Sequence, residues 1–322
     1  MANLTLVQAI NVALIQEMER DDRIIILGED VGRNGGVFRV TEGLFKRFGA
    51  ERVVDTPLAE SGIVGTSIGL AMAGLRPIPE IQFEGFLAPA HDQLCTHAAR
   101  MRSRTRGALT VPLTLRVPIG GGIHAPELHS DSPEAFYAHQ PGIKVVMPAS
   151  PYDAKGLLIS AIRDPDPVIF FEPKRLYRAF REEVPEDEYT IPLGKARLVT
   201  EGDELTIISW GAPVVQCMNA IENSGKSIEL IDLRTIDPLD TQTIVNSARK
   251  TGRVVIVHEA PKNCGLGAEI ASRIMEHCFL YLEAPIQRVT GFDTTMPYYK
   301  MELEYLPEAE RIGKAIEEVA AY

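Results

Sequence analysis

The chain has 322 residues, with 44 acidic and 33 basic side chains and a net charge of -11 at pH 7. An acidic chain repels phosphate backbones, so we do not expect it to bind nucleic acid. The four cysteines form no Cys-x-x-Cys pair, which argues against a disulfide framework and a structural metal site. The length suggests about two domains. Because the sequence shows neither a secretion signal nor an apolar run long enough to span a membrane, we expect a soluble, cytoplasmic protein.

The first half alternates between predicted helices and strands. Thr5 and Gln8 form a capping box that predicts a helix over residues 5–20, and the apolar run Ile24–Leu27 suits a parallel strand covered on both faces. Further strands are predicted at 53–54, 76–83, 111–117, 143–147 and 167–171, and further helices at 62–74, 86–101, 133–139 and 150–162. This alternation predicts an α/β fold with a doubly wound, mostly parallel sheet.

A charged, proline-containing stretch divides the chain. We predict a linker at 181–194, a first domain at 1–180 and a second doubly wound domain at 195–322. The second domain should begin with a hairpin turned by Glu201–Asp203. Its other strands are predicted at 205–209, 228–233, 254–257 and 286–290, and its helices at 213–221, 241–250, 266–278 and 308–321.

Two carboxylates lie where predicted strands end. Glu60 follows a short strand and begins a helix; because Ser61, Gly62 and small apolar residues surround it, we expect partial desolvation and a carboxyl able to share a proton. The alternative is an ordinary first-turn glutamate stabilised by the helix dipole. Glu29 lies at the carboxyl end of another strand, where open α/β sheets place their ligands.

A long glycine-rich loop covers residues 118–133. It contains three consecutive glycines, Gly120 to Gly122, and the histidines His124 and His129. Consecutive glycines allow a backbone to approach a ligand closely, and long loops in compact domains are often functional. The loop lacks the Lys-Ser/Thr ending of a phosphate-binding P-loop.

These stretches, taken together, resemble one family. The matching segments are Leu27-Gly-Glu-Asp-Val31, Asp55-Thr-Pro-Leu-Ala-Glu60, His129-Ser-Asp-Ser-Pro133, Phe170-Phe-Glu-Pro-Lys174, Ile231-Asp-Leu-Arg-Thr-Ile236 and His258-Glu-Ala-Pro261. They are similar, in register and almost end to end, to the beta subunit of the thiamine-diphosphate-dependent 2-oxo acid dehydrogenase first component. The residues of these segments are most similar to those of the branched-chain type, although pyruvate and acetoin relatives share the core motifs.

The resemblance implies a transketolase-like pyrimidine-binding domain followed by a transketolase C-terminal domain. It also implies a heterotetramer of two alpha and two beta chains, in which the alpha subunit holds the diphosphate and Mg²⁺. The chain would take part in decarboxylation of a 2-oxo acid, and the acyl group would pass to a lipoyl-bearing acyltransferase, the second component of the complex. The site would therefore be incomplete in this chain alone.

The resemblance assigns roles to individual residues. Glu60 would hydrogen-bond the aminopyrimidine of the cofactor and control its tautomer, Phe86 would stack on that ring, and His129 would act near the reacting carbon. Leu58 and Gln82 would line the same pocket, with Glu29 beside them.

A structural potassium ion is also implied by the resemblance, with oxygen ligands that suit a hard cation. Its neighbours would be Leu113, Thr114, Ala161, Asp164 and Asp166. Asp166 replaces an asparagine common in relatives.

Two other functions stay open at this point. One is half of a split transketolase-type ketol transferase, which would need basic residues around a substrate phosphate. The other is a non-catalytic assembly subunit that keeps the fold.

Overall fold

The computed structural model describes residues 1–297 and 299–322, and its first half contains a parallel α/β sheet. The strands are β1 Ala2–Leu4, β2 Ile24–Gly28, β3 Val53–Asp55, β4 Arg76–Glu80, β5 Thr114–Ile119, β6 Lys144–Val146, β7 Val168–Pro173 and β8 Glu182–Val184. The helices are α1 Leu6–Arg20, α2 Leu44–Phe48, α3 Glu60–Met72, α4 Leu87–Asp92, α5 Met101–Arg104, α6 Glu134–Ala138 and α7 Pro151–Arg163.

The second half repeats the alternation. Its strands are β9 Arg197–Thr200, β10 Leu205–Ser209, β11 Ile228–Asp232, β12 Thr235–Asp237, β13 Val254–Pro261 and β14 Gln287–Gly291. Its helices are α8 Pro213–Ser224, α9 Thr241–Thr251, α10 Leu266–Cys278, α11 Glu302–Tyr305 and α12 Ala309–Ala320. The predicted α/β fold with two mostly parallel sheets is confirmed.

Local sequence signals located several helices correctly. Thr5 and Gln8 form the predicted capping box at the start of α1, and Ser150 caps α7 by accepting a bond from the Asp153 amide. The helix predicted over 86–101 is confirmed over residues 87–98, where α4 continues directly into a π-helical turn at Gln93–Ala98. The chain then turns, and the short helix α5 begins at Met101.

The larger sheet has seven strands in the order β12-β6-β7-β5-β4-β2-β3. Strands β2 to β7 run parallel, so their carboxyl ends share one edge. The edge strand β12 comes from the second half of the chain and pairs antiparallel with β6. The two halves are therefore joined by main-chain pairing.

The smaller sheet has the order β14-β13-β10-β11-β9, and it contradicts the predicted hairpin. Strand β9 pairs antiparallel with β11, while β10 lies parallel to β11 on its other side. The turn crosses the start of β11: the Glu204 amide bonds the Ser227 carbonyl at 2.9 Å, and a Cβ on Gly202 would overlap the Ile228 backbone. Close contact with β11 thus replaces a direct pairing of β9 with β10.

The segment predicted as a linker carries ordered structure. Strand β8 pairs antiparallel with β1, and the Lys155 ammonium donates to the carbonyls of Pro185, Glu186 and Asp187. Charged residues that could not enter a core are thus held at the surface by backbone contacts. The domain limits themselves stay a prediction.

Two apolar clusters cover the two faces of both sheets. Along β7, Val168 and Phe170 belong to one cluster and Ile169 and Phe171 to the other, as the two-residue repeat of a strand requires. Each cluster contains residues of both halves, which fixes the two halves against each other.

Neither a disulfide nor a spanning helix is found in the part of the chain that the structure describes. The four cysteines are free, and no described helix is both long and apolar enough to cross a membrane. The cytoplasmic location stays a prediction.

Candidate active site

Three predicted site residues lie together at the carboxyl edge of the larger sheet. Glu29 follows β2, Glu60 begins α3 after β3, and Gln82 follows β4; these three strands are neighbours. Gln82 Nε2 donates to the Glu29 carbonyl at 3.3 Å. Burial raises the pKa of the Glu29 carboxyl, and the nearby charge of Glu60 raises it further. A pair of like charges is thus held at the edge where ligands bind in such sheets.

Phe86 and His129 form an aromatic group with Phe83. The Phe86 and His129 rings meet edge-on with centroids 5.1 Å apart, and the Phe83 ring lies 4.3 Å from the imidazole. His129 Nδ1 lies 2.7 Å from the Glu127 carbonyl oxygen. Because a carbonyl can only accept, the proton of the neutral ring is assigned to Nδ1, and Nε2 is left as its basic nitrogen.

A buried ion pair connects these two aromatic residues to the scaffold. Lys174 Nζ lies 2.7 Å from Glu84 Oε2 and also donates to the His129 carbonyl. Glu84 precedes Phe86 by two residues, and a Cβ on the intervening Gly85 would overlap the Leu128 carbonyl. The segment carrying Phe86 is therefore packed directly against the loop carrying His129.

A second buried network lies on the strands beneath. The Arg116 guanidinium on β5 contacts Glu80 on β4 at 2.6 Å and Glu172 on β7 at 2.7 and 2.9 Å. The Tyr177 hydroxyl donates to Glu172 at 2.6 Å. All four groups are buried, so their mutual bonds fix three adjacent strands just before the strand ends that carry the site.

Leu58 is placed differently from the other predicted pocket residues. Its side chain is 78% exposed in this chain, two residues before the half-buried Glu60. An exposed leucine beside a carboxylate at a ligand-binding edge suits a site completed by another chain.

The three loop glycines face carboxylates of the second half. Glu259 accepts a bond from the Gly121 amide, and Glu302 accepts from the Gly122 amide at 2.8 Å and from the His124 amide at 2.7 Å. The Gly120 amide donates to the Asp131 carbonyl at 3.1 Å. All three glycine amides therefore already have partners within the chain, two of them carboxylates, which contradicts the expectation that their amides approach a bound ligand. Sequence reasoning missed both acids, although Glu259 lies within the quoted motif His258–Pro261.

An apolar cavity borders the same loop. Its volume is about 690 Å³, and it lies between the two halves of the chain. Its lining includes Gly85, Leu128, Phe136, Met296 and Tyr305. The loop is thus held by carboxylates and also borders open space.

The carboxylates predicted to lie near potassium already have cationic partners. Asp164 accepts two bonds of 2.7 Å from Lys144 Nζ, and Asp166 pairs with Arg102 at 2.7 Å. A potassium ion would compete with these side chains for the same oxygens.

The other predicted potassium neighbours are also engaged. The Leu113 carbonyl accepts from the Val168 amide at 2.9 Å, the Ala161 carbonyl accepts from the Asp164 amide at 3.2 Å, and Thr114 is buried in β5. Among the described residues, no group of three or more acidic, histidine or cysteine side chains could hold a metal ion. The two carboxylates would have to leave cationic partners, whereas each carbonyl oxygen keeps a second lone pair. The potassium site stays a prediction.

Comparison with known proteins identifies both halves. Residues 2–179 match the family model of the transketolase pyrimidine-binding domain, and residues 194–312 match that of the transketolase C-terminal domain. The chain is similar in structure to a split-gene transketolase described as an inactive beta4 tetramer, with a TM-score of 0.80 over 99% of both chains. At 20% identity, this likeness shows the fold alone.

Sequence relatives define the family more narrowly. The chain is 51% identical to the pyruvate dehydrogenase E1 component subunit beta of Acholeplasma laidlawii over 99% of both chains. It is 52% identical to the subunit of the same name from Staphylococcus aureus over the full length of both. The chain belongs to the family of beta subunits of the 2-oxo acid dehydrogenase first component, built from a transketolase pyrimidine-binding domain and a transketolase C-terminal domain.

Proposed function

We propose that this chain is the beta subunit of a thiamine-diphosphate-dependent dehydrogenase that decarboxylates pyruvate and passes the acetyl group to a lipoyl group. The observation that carries this proposal is the placement of Glu60 beside Glu29 and Gln82, at the same sheet edge as the Phe86–His129 pair. A carboxyl, an amide and a flat aromatic ring together suit recognition of an aminopyrimidine.

The residues present fit the pyrimidine end of the cofactor. Glu60 would hold a proton at the ring nitrogen of the pyrimidine, and Phe86 would orient the ring by stacking. His129, with Nε2 as its basic nitrogen, would donate or accept a proton near the reacting carbon. When bound, thiamine diphosphate supplies the carbanion and the electron sink for decarboxylation. The chain's own contribution is to bind, orient and set the protonation state of the ring.

The remainder of the site is assigned to a partner. Leu58 and the half-buried Glu60 face outward in this chain, which supports an alpha subunit as the second wall of the pocket and as the holder of the diphosphate and Mg²⁺. We propose an assembly of two alpha and two beta chains that delivers acyl groups to a lipoyl-bearing acyltransferase.

Pyruvate is favoured over branched-chain 2-oxo acids. The sequences of several segments suggested the branched-chain type. The relatives from Acholeplasma laidlawii and Staphylococcus aureus, however, are pyruvate dehydrogenase subunits, and they are 51% and 52% identical to this chain over almost their whole length. The branched-chain preference therefore gives way to pyruvate in this proposal.

The test is reconstitution with an alpha subunit from the same organism. The mixed complex should decarboxylate pyruvate in the presence of thiamine diphosphate and Mg²⁺, with a higher kcat/KM than for branched-chain 2-oxo acids or acetoin. The chain alone should be inactive. Turnover by the chain alone, or sugar-phosphate transfer by the complex, would contradict the proposal.

A further inference from the structure

The loop that carries His129 is held by a carboxylate from far along the chain. Glu302 is 1% exposed and accepts bonds from the Gly122 amide at 2.8 Å and the His124 amide at 2.7 Å. Its Oε2 also lies 3.0 Å from His124 Nδ1, and the Ser130 hydroxyl donates to Oε1 at 3.4 Å. One buried carboxylate thus contacts the loop both before and after His129.

A second contact fixes the same loop from the sheet. Lys174 Nζ donates to the His129 carbonyl while pairing with Glu84, which precedes Phe86 in the chain. Lys174 therefore holds the His129 carbonyl itself, and Glu302 holds the loop at residues 122, 124 and 130. Both contacts act on the backbone or on neighbouring residues, which leaves the imidazole directed toward Phe83 and Phe86.

The glycine residues are required by this arrangement. Gly120 and Gly122 have φ values of +84° and +91°, and a Cβ on Gly120 would lie 2.7 Å from Glu259 Oε1. Left-handed backbone turns successive amides toward one side, where they can surround an anion. Here the anions are carboxylates of the second half of the chain.

We propose that Glu302 is a positioning residue that sets the reactivity of His129 by fixing the loop over residues 120–131. The inference rests on the proposed function, because it assigns His129 to the reacting carbon. The second half of the chain would thereby control a site that is built on the first half. A misplacement of about 1 Å at a reacting group can cost on the order of 100-fold in rate.

The test compares Glu302→Gln with Glu304→Gln in the reconstituted complex. Glu304 lies on the same short helix but is exposed, so its variant controls for the loss of one charge. Glutamine keeps the size of Glu302 but presents an amide NH₂ toward backbone donors. We expect Glu302→Gln to lower kcat about 10- to 100-fold with little change in the KM for thiamine diphosphate.

A double-variant cycle with His129→Ala separates positioning from general stability. If Glu302 acts through His129, then Glu302→Gln should lower kcat less than about 2-fold in the His129→Ala background, since coupled residues are not additive. Equal losses in both backgrounds would overturn the proposal, as would unchanged kcat in the single variant.

Hydrogen exchange gives a readout that does not depend on turnover. Amides of residues 120–131 should exchange faster in Glu302→Gln while those of α7 stay protected. If that variant fails to assemble, Glu302→Asp, which keeps the charge on a shorter side chain, should show faster loop exchange together with lower kcat; lower kcat with wild-type exchange would overturn the proposal. Wild-type complex that turns over no 2-oxo acid would instead refute the proposed function, while the exchange result would still test the loop contact.

Discussion

The Lys174 ammonium lies 2.7 Å from Glu84 Oε2, and both side chains are buried. Burial lowers the pKa of Lys174 and raises the pKa of Glu84 to about 7, because each charge is removed from water. The pair borders the candidate site through the His129 carbonyl. The contribution of this ion pair to the free energy of unfolding can be measured without reconstituting the complex.

Removing Lys174 should expose the cost of burying Glu84 alone. We expect Lys174→Met to lower the free energy of unfolding by about 3–5 kcal/mol at pH 8, measured by urea denaturation. The loss should shrink toward pH 5, because the folded state then binds a proton at Glu84 that the unfolded chain, with its lower glutamate pKa, binds less readily. Adding Glu84→Gln should restore much of the stability. A single variant as stable as wild type at pH 8 would contradict the prediction.

Glu134 should make the protein less stable in mild alkali. Burial raises its pKa to about 8, and its hydrogen bond is a 3.3 Å contact from Trp210 Nε1 to Oε1. Between the unfolded glutamate pKa and pH 8 the folded state binds more protons, so stability falls as the pH rises. Glu134→Gln should remove this dependence of the free energy of unfolding on pH. The variant should have a free energy of unfolding higher than that of wild type by on the order of 2 kcal/mol at pH 9, but not at pH 5. Glu276 is exposed, so Glu276→Gln serves as the control. The same gain in stability in that variant would refute the assignment of the pH effect to Glu134.

Glu60→Gln should abolish most activity without preventing assembly. A glutamine keeps the size of the side chain but cannot exchange a proton with a pyrimidine nitrogen, so kcat of the reconstituted complex should fall about 100- to 10,000-fold. The exposed Glu51→Gln should leave kcat unchanged. Size-exclusion chromatography should show both variants bound to the alpha subunit. Unchanged turnover in Glu60→Gln would favour a non-catalytic assembly subunit.

Two helical glycines should respond oppositely to alanine. A Cβ on Gly267 in α10 would lie 2.6 Å from His258 Nε2, whereas a Cβ on Gly313 in α12 meets no atom within 4 Å. We expect Gly267→Ala to lower the free energy of unfolding by about 1–3 kcal/mol, because the added methyl group overpacks the core. We expect Gly313→Ala to raise it by about 0.5–1 kcal/mol, because alanine has the higher helix propensity. Thermal unfolding of the two variants measures both signs. A neutral Gly267→Ala would show that His258 can move away from its stacked position on Trp210.

Much of the fold could be predicted from short-range signals. Helix α10 begins and ends at the predicted residues, Leu266 and Cys278, because its apolar repeat and flanking glycine are local features. The meeting of Glu29, Glu60 and Gln82 follows from a general property of parallel sheets, whose strand ends share one edge. The resemblance then gave these residues roles that their positions alone do not specify.

Pairings between distant segments required the tertiary structure. Strand β9 bypasses β10 to pair with β11, and β12 leaves its own half to extend the larger sheet, although both have ordinary strand sequences. Register and partner depend on packing across the whole chain, which no local pattern encodes.

The sequence by itself determined the fold class, the family and the sheet edge at which the candidate site lies, because strand periodicity, helix caps and motif spacing act over a few residues. Only the tertiary structure decided what holds the loop of His129. Glu302 and Gly122 are 180 residues apart in the chain, and a hydrogen bond of 2.8 Å between them depends on the closure of the two halves against each other. Both apolar clusters contain residues of both halves, and this shared packing places the two segments side by side.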